Sequence, residues 1–282
     1  MSARSKAGGD PAANAGGGDI ANPAEKRADR PPLQVFSESR GGVMTARVTV
    51  GGMTGSGKTT LAAAYARATG TPRERWIVID PVGALGAKLG MDYYKVTARE
   101  PERCEKIIRK YYQESERTGV GYLWLIDEMD LLCSSRDYCC DALYELVNQG
   151  RNFGNGVVAL TRGTNELPKN FIRASSIVFW SQTVEVNQLE YLKEFCQDSE
   201  GTDYEQILRN LPAHWFMVWE PRAGGGMRGY VTVDQDGDLV ECDPEELRKT
   251  TPAGPPEETA GPGEDLKTSS PTESTTNTPR TA

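Results

Sequence analysis

The 282-residue chain is 38% hydrophobic and carries a formal net charge of -8, so it can bury one sizeable core but has no global basic signature for nucleic acid. Its single histidine, His214, leaves too few parts for a His-based metal site or a Ser-His-Asp triad. No apolar run reaches the roughly 18–20 residues of a membrane span, the start lacks the apolar centre of a secretory signal, and the six cysteines form no CxxC pair, so an intracellular chain with reduced structural thiols is expected.

In chain order, composition sets three regions. Residues 1–42 are rich in Ala, Gly and Pro, and residues 243–282 in Pro, Thr, Ser, Gly and Glu; both are expected to be disordered tails. Only 43–242 can pack as a domain. Within it, Val43 to Val50 alternates as a strand, Thr59 to Thr69 is an Ala-rich helix, and Trp76 to Asp80 is a buried strand. A further strand is expected at Tyr93 to Thr97 and a helix at Pro101 to Arg117. Tyr122 to Ile126 is the next strand, Asp137 to Asn152 a helix, Val157 to Thr161 a strand, Pro168 to Ala174 a helical turn, Ile177 to Trp180 a strand, and Val186 to Phe195 a helix. Strands alternating with helices predict a mainly parallel sheet covered on both faces. Strands at Trp215 to Glu220 and Gly229 to Val233, with Asp236-Gly237 turning the chain towards Leu239-Val240, predict a small β-hairpin within about 215–242.

Chemistry enters at Gly52-Met-Thr54-Gly55-Ser56-Gly57-Lys58-Thr59-Thr60, which satisfies G-x-x-x-x-G-K-[ST] directly after a strand and before a helix. Glycines let successive N–H groups point at phosphate oxygens, and the helix N-terminus adds partial positive charge. Lys58 is expected to reach the β- and γ-phosphates and the Thr59 hydroxyl to ligate Mg²⁺, so the nucleotide is ATP with Mg²⁺. The second element is Tyr122 to Ile126 ending in Asp127-Glu128: Asp127 is placed to hold the Mg²⁺ shell and Glu128 to polarise water. The same pair also reads as a helix cap, and Asp130 as a solvated or capping carboxylate.

A third stretch, residues 149–163 (QGRNFGNGVVALTRG), places Arg151 and Arg162 at the two ends of one short apolar strand. A strand set between the two nucleotide motifs carries polar groups that sense the γ-phosphate, and a neighbouring ring subunit can supply an arginine. Arg162 suits the first role and Arg151 the second.

Taken in order, residues 52–60, WIVIDPVGAL with its Asp-Pro-x-Gly, LWLIDEMDLL, and GRNFGNGVVALTRGTNELPKNFIRASSIVFW resemble the FtsK–HerA superfamily of ring-forming DNA translocases. Within it, the chain resembles the packaging ATPases of tailless, internal-membrane viruses of the tectivirus type, over roughly residues 44–196. The superfamily usually has Gln after the strand-end Thr, where Arg162 stands here. That leaves open which of Arg151, Arg162 and Arg173 acts in cis and which in trans, and each also reads as an ordinary surface arginine.

The resemblance implies an α/β fold with a RecA-like P-loop NTPase core. It implies a homo-oligomeric ring, a hexamer, that hydrolyses ATP at subunit interfaces and draws double-stranded DNA of any sequence into a preformed capsid. Capsid or packaging-vertex proteins are the implied partners, in the host cytoplasm or at the virion vertex. Arg136, Lys169 and Arg173 are the candidate phosphate contacts. Two other readings stand beside this one: a virion-export ATPase of the filamentous-phage type, and a nucleotide-regulated scaffold.

Overall fold

The computed structural model describes residues 39–134, 137–195, 203–221, 226–243 and 245. The tails expected at 1–42 and 243–282 lie almost wholly outside these residues. The last four positions of the first tail do not: Ser39–Arg40 (β1) pairs antiparallel with Val43–Met44 (β2). Gly41 and Gly42 between them have φ of 59° and 78°, the positive-φ pair that a two-residue hairpin turn requires.

The central sheet has eight strands. β3 (Arg47–Gly51), β4 (Trp76–Ile79), β5 (Leu123–Ile126), β6 (Gly156–Thr161) and β7 (Ile177–Ser181) run parallel in the spatial order β7-β3-β6-β5-β4. β8 (Phe216–Trp219), β9 (Met227–Val233) and β10 (Leu239–Cys242) follow β7 antiparallel. The expected C-terminal hairpin is β9–β10, turned at Asp234–Asp238, but it is no appendage. All four residues of β8 are buried, so that strand has both faces covered and the hairpin extends the main sheet through it.

Helices cover both faces because both strand faces are apolar. In register, Val78, Leu125, Val158, Val48 and Ile177 make one row across the sheet. They pack against Leu61, Tyr65 and Leu85 of α1 (Lys58–Ala68) and α2 (Ala84–Leu89). The opposite row, Ile79, Ile126, Ala159 and Val178, meets α3 (Pro101–Thr118), α4 (Asp141–Gln149), α5 (Lys169–Arg173), α6 (Val186–Phe195) and α7 (Tyr204–Arg209). α3 shows why: Cys104, Ile108, Tyr112 and Ser115 recur at helical spacing and are its buried residues, while Gly119 closes it in the left-handed conformation.

Two expected elements differ in extent. Tyr93 to Thr97 yields one parallel bridge, Ile79–Tyr94, and just past it the Ala98 N–H donates to the Leu131 carbonyl. The helix expected over Asp137 to Asn152 is α-helical only at Asp141–Gln149. Before it, Tyr138 bridges Cys133; after it, Gly150–Phe153 tightens into a 3₁₀ turn that Gly154 ends at φ 82°. Two short helices were not anticipated. α2 is capped by Asp80, whose carboxylate accepts the N–H groups of Val82, Gly83 and Gly86. α7 is capped by Asp203, which accepts Gln206 N–H at 3.0 Å; an Asp three residues before a Gln was the available signal.

Candidate nucleotide site

Parallel order sends the carboxyl ends of β3, β6 and β5 to one edge, and the chemistry gathers there. β3 runs into the loop 52–57, which curls because Gly52, Gly55 and Gly57 take positive φ of 142°, 83° and 93°. At Gly52 the constraint is double, since a Cβ there would stand 1.6 Å from Ser181 Oγ on β7. Lys58 then begins α1, and its ammonium donates to the carbonyls of Gly52 (2.7 Å) and Met53 (2.9 Å), which holds the charge at the mouth of the loop.

A cavity of about 400 Å³ opens on this loop. Thr54, Gly55, Gly57, Lys58, Thr59 and Thr60 line one side, Asp127, Glu128, Thr161 and Arg162 another, and Val82, Ala84 and His214 complete it. The structure therefore brings together the loop, the two carboxylates and the strand-end arginine that the sequence singled out. Gly52 and Ser56 belong to the same loop behind the lining. Arg151 does not line the cavity: it is exposed in the 3₁₀ turn that leads into the opposite end of β6. Thus β6, lying between β3 and β5, carries Arg151 before its first residue and Arg162 after its last.

Burial conditions two of the charged groups, Asp127 and Lys58. Asp127 is 5% exposed, one oxygen accepts the Glu128 N–H at 2.9 Å, and its carboxyl is pushed up to about 6, chiefly by loss of water. Burial also lowers the Lys58 amine, against the pull of Asp127 and Asp130. Glu128 holds a left-handed backbone (φ 45°, ψ 53°), a costly conformation for a side-chain-bearing residue. Arg162 reaches Asp130 through Nη2 at 3.0 Å and Nε at 3.2 Å, and Nε stands 3.9 Å from Glu128. This corrects the expectation for Asp130, which is neither solvated nor a cap. Its side chain is 1% exposed and bonds Arg162 because the 3₁₀ turn Met129–Leu131 points it at the end of β6.

The donor set fits its proposed occupants. The buried hydroxyls of Ser56 and Ser181 have no hydrogen-bond partner, and Ser56 lies within the phosphate-type loop itself. Thr59 and Asp127 offer a hydroxyl and a carboxylate to one cavity, hard oxygen donors of the kind Mg²⁺ takes.

Other expectations fall differently. Lys169 and Arg173 both pair with Glu194 on α6, at 3.4 and 2.9 Å, so α5's cations face a carboxylate. Arg136 lies outside the described residues. His214 was passed over in the sequence, yet its ring Nδ1 stands 3.0 Å from where a Cβ of Gly57 would be, and its backbone is left-handed at φ 65°. Only the antiparallel placement of β8 beside β7 brings it to the loop, and no spacing signal announces that. No helix among the described residues is long and apolar enough to cross a membrane.

Known proteins agree with this geometry. The family model of the ATPase family associated with various cellular activities (AAA) matches residues 48–181. No curated protein matches the chain. Among solved structures, the DNA-packaging ATPase from Sulfolobus Turreted Icosahedral Virus superposes with a TM-score of 0.52 at 19% identity, covering 64% of this chain and 94% of that one. The genome packaging NTPase of Sulfolobus turreted icosahedral virus 2 in complex with sulfate gives 0.55 at 17% identity, over 64% and 93% of the two chains. The same NTPase in complex with ATP-gammaS gives 0.51 at 16%, over 65% and 96%. At these identities the likeness is one of fold. With an AAA-type match spanning β3 to β7 and a phosphate-type loop facing two carboxylates, the chain is a P-loop ATPase whose fold resembles that of viral genome-packaging ATPases.

Proposed function

We propose that this ATPase is a motor that drives double-stranded DNA into a preformed capsid, working as a homo-oligomeric, hexameric ring at the packaging vertex. The observation that carries the reading is β6. It brings Arg162 to the cavity at one end and leaves Arg151 exposed at the other, the division expected if one arginine serves its own site and the other a neighbour's. The fold likeness to packaging ATPases supports the choice of cargo.

In this reading Gly52 to Gly57 and the α1 N-terminus cradle the phosphates, Lys58 neutralises the terminal two, and Ser56 and Thr60 donate to their oxygens. Thr59 and Asp127 would hold Mg²⁺, which would supply charge neutralisation to the phosphates. Glu128 orients the attacking water and takes its proton, and Arg162 sits against the γ-phosphate. Arg151 of one subunit completes the site of the next.

A motor that moves any genome reads phosphates rather than bases. ATP turnover is therefore expected to rise with random-sequence duplex DNA and to lose that stimulation as salt rises, because neutralised phosphates release counterions. Steady-state turnover across a salt series, with a chain lacking both tails as control, tests this. Turnover and assembly both indifferent to duplex at low salt would remove DNA as the cargo.

A further inference from the structure

Away from the nucleotide cavity, three thiols meet where α3 and α4 begin. Cys104 lies in the first turn of α3 and is buried; Cys140 is the residue that caps α4 and Cys139 precedes it, both half-buried. Their sulfur atoms all lie within 4.8 Å of one another, with Cys139 Sγ and Cys140 Sγ 3.9 Å apart. None of the three is in a disulfide.

This convergence is not what neighbouring residues do by default. Successive side chains of an extended chain point to opposite sides, and Cys140 is extended (φ -158°, ψ 161°), yet its sulfur and that of Cys139 approach the same point beside Cys104. The spacing has a chemical meaning: with metal–sulfur bonds of about 2.3 Å, sulfurs around one ion stand about 3.8 Å apart in a tetrahedral site and about 4.0 Å in a trigonal one.

The surroundings hold the donors in place. Cys104 lies in the first turn of α3 and Cys140 is the N-cap residue of α4, so both thiols are carried by helix starts rather than by loose chain. Glu105, next to Cys104, accepts the Ala142 N–H at 2.7 Å, and Arg109 joins Glu105 of α3 to Glu145 of α4. The two helix starts are thus fixed relative to each other by groups outside the thiol set.

We propose that Cys104, Cys139 and Cys140 form a three-thiolate site for a thiophilic d¹⁰ cation, Zn²⁺ or Cu⁺. Soft sulfur donors select this class over Mg²⁺, so the site is chemically separate from the oxygen donors of the nucleotide cavity. Each thiol gives its proton to solvent as its metal–sulfur bond forms. The cation ties α3 to the segment that leaves Glu128 and enters α4, a clasp on the structure behind the catalytic strand rather than a participant in hydrolysis.

The test uses the full chain, reduced and stripped with chelator, then titrated separately with Zn²⁺ and with Cu⁺ in competition with a chromophoric chelator. One cation per chain is expected, and Co²⁺ should give sulfur-to-metal charge-transfer absorption that saturates at the same ratio. Cys104→Ser and Cys139→Ser should each weaken binding at least roughly tenfold, and Cys242→Ser should leave it unchanged. Should the serine variants not fold, alkylation of the wild type decides: bound cation should shield Cys104, Cys139 and Cys140 and no other cysteine. The proposal is overturned if the reduced chain retains neither cation, if shielding maps to other cysteines, or if Cys104→Ser binds as the wild type does. It is equally overturned if air forms a disulfide within the trio in a chain whose reduced form binds no cation.

Discussion

Arg162 is anchored by a carboxylate that water scarcely reaches: its Nη2 stands 3.0 Å from Oδ2 of Asp130, whose side chain is 1% exposed while that of the arginine is 44% exposed. The buried end fixes the guanidinium, and its Nε is left 3.9 Å from Glu128. Asp130 therefore positions a cation at the cavity without lining it. Asp130→Asn keeps the shape but removes the charge-assisted bond. Turnover is expected to fall roughly 10- to 100-fold through misplacement of Arg162, with ATP affinity nearly unchanged. Steady-state kinetics beside equilibrium ATP binding checks this, and a change confined to affinity would refute it.

Glu128 and Lys58 should separate binding from chemistry. Glu128→Gln retains the side-chain size but not the base, so ATP should still bind while turnover drops roughly 10²- to 10⁴-fold. Lys58→Ala should also weaken ATP binding, because it removes the ammonium held at the loop mouth. Equal losses of nucleotide affinity in the two variants would reject the assignment.

Asp127 carries a stability cost that its role explains. Its carboxyl is raised from 3.8 to about 6 in the fold, so between those values the folded state holds a proton that the unfolded chain has lost. Stability from this group therefore falls as pH rises through that window, and above about 6 the full cost, on the order of 1–3 kcal/mol, is present. Asp127→Asn should raise the melting temperature at pH 7.5 and narrow the gap to the wild type at pH 4, while abolishing Mg²⁺-dependent turnover. An asparagine variant less stable at both pH values would contradict the desolvation argument.

His214 stands on the other side of the loop from the carboxylates. β5 and β6 lie to one side of β3, whereas β7 and β8 lie to the other, and His214 precedes β8. His214 lines the same cavity as Glu128 and Arg162, so with a terminal phosphate at those two residues it is on the side left to the sugar and base. His214→Gly relieves the positive φ, so it should stabilise the fold by about 1 kcal/mol while weakening ATP binding several-fold. Thermal melts and ATP titration on the same preparation read both effects; unchanged affinity would make the histidine a purely structural neighbour.

Arg151 is tested by complementation. Mixed assemblies of Glu128→Gln and Arg151→Ala subunits should regain part of the turnover that each lacks alone, at interfaces pairing an intact arginine with an intact glutamate. Mixed rings confirmed by mass and wholly inactive would move the trans role to another arginine.

The elements legible beforehand are those with a strictly local cause. The strand-to-helix turn at Gly52 to Thr59 is written in glycines that must take positive φ and in a Lys-Thr pair at a helix start. Ile126-Asp127-Glu128 is legible because an apolar strand that stops at two carboxylates can do so only where the sheet ends. That β6 lies between β3 and β5 was expected from the chemistry of the two nucleotide motifs, not from any local pattern.

What tertiary structure alone decided are relations between segments far apart in the chain. Asp130 and Arg162 are 32 positions apart, and nothing near either residue distinguishes a buried anchor from a solvated carboxylate until β5 and β6 lie side by side. His214 meets Gly57 only because β8 joins β7 antiparallel, so that the chain entering it returns to the phosphate-loop edge of the sheet. Cys104 reaches Cys139 and Cys140 only because α3 packs on α4. Periodicity and spacing record the conformation of a segment and the face it buries; which distant side chains share a point in space follows from strand order and helix packing, which the whole core sets cooperatively.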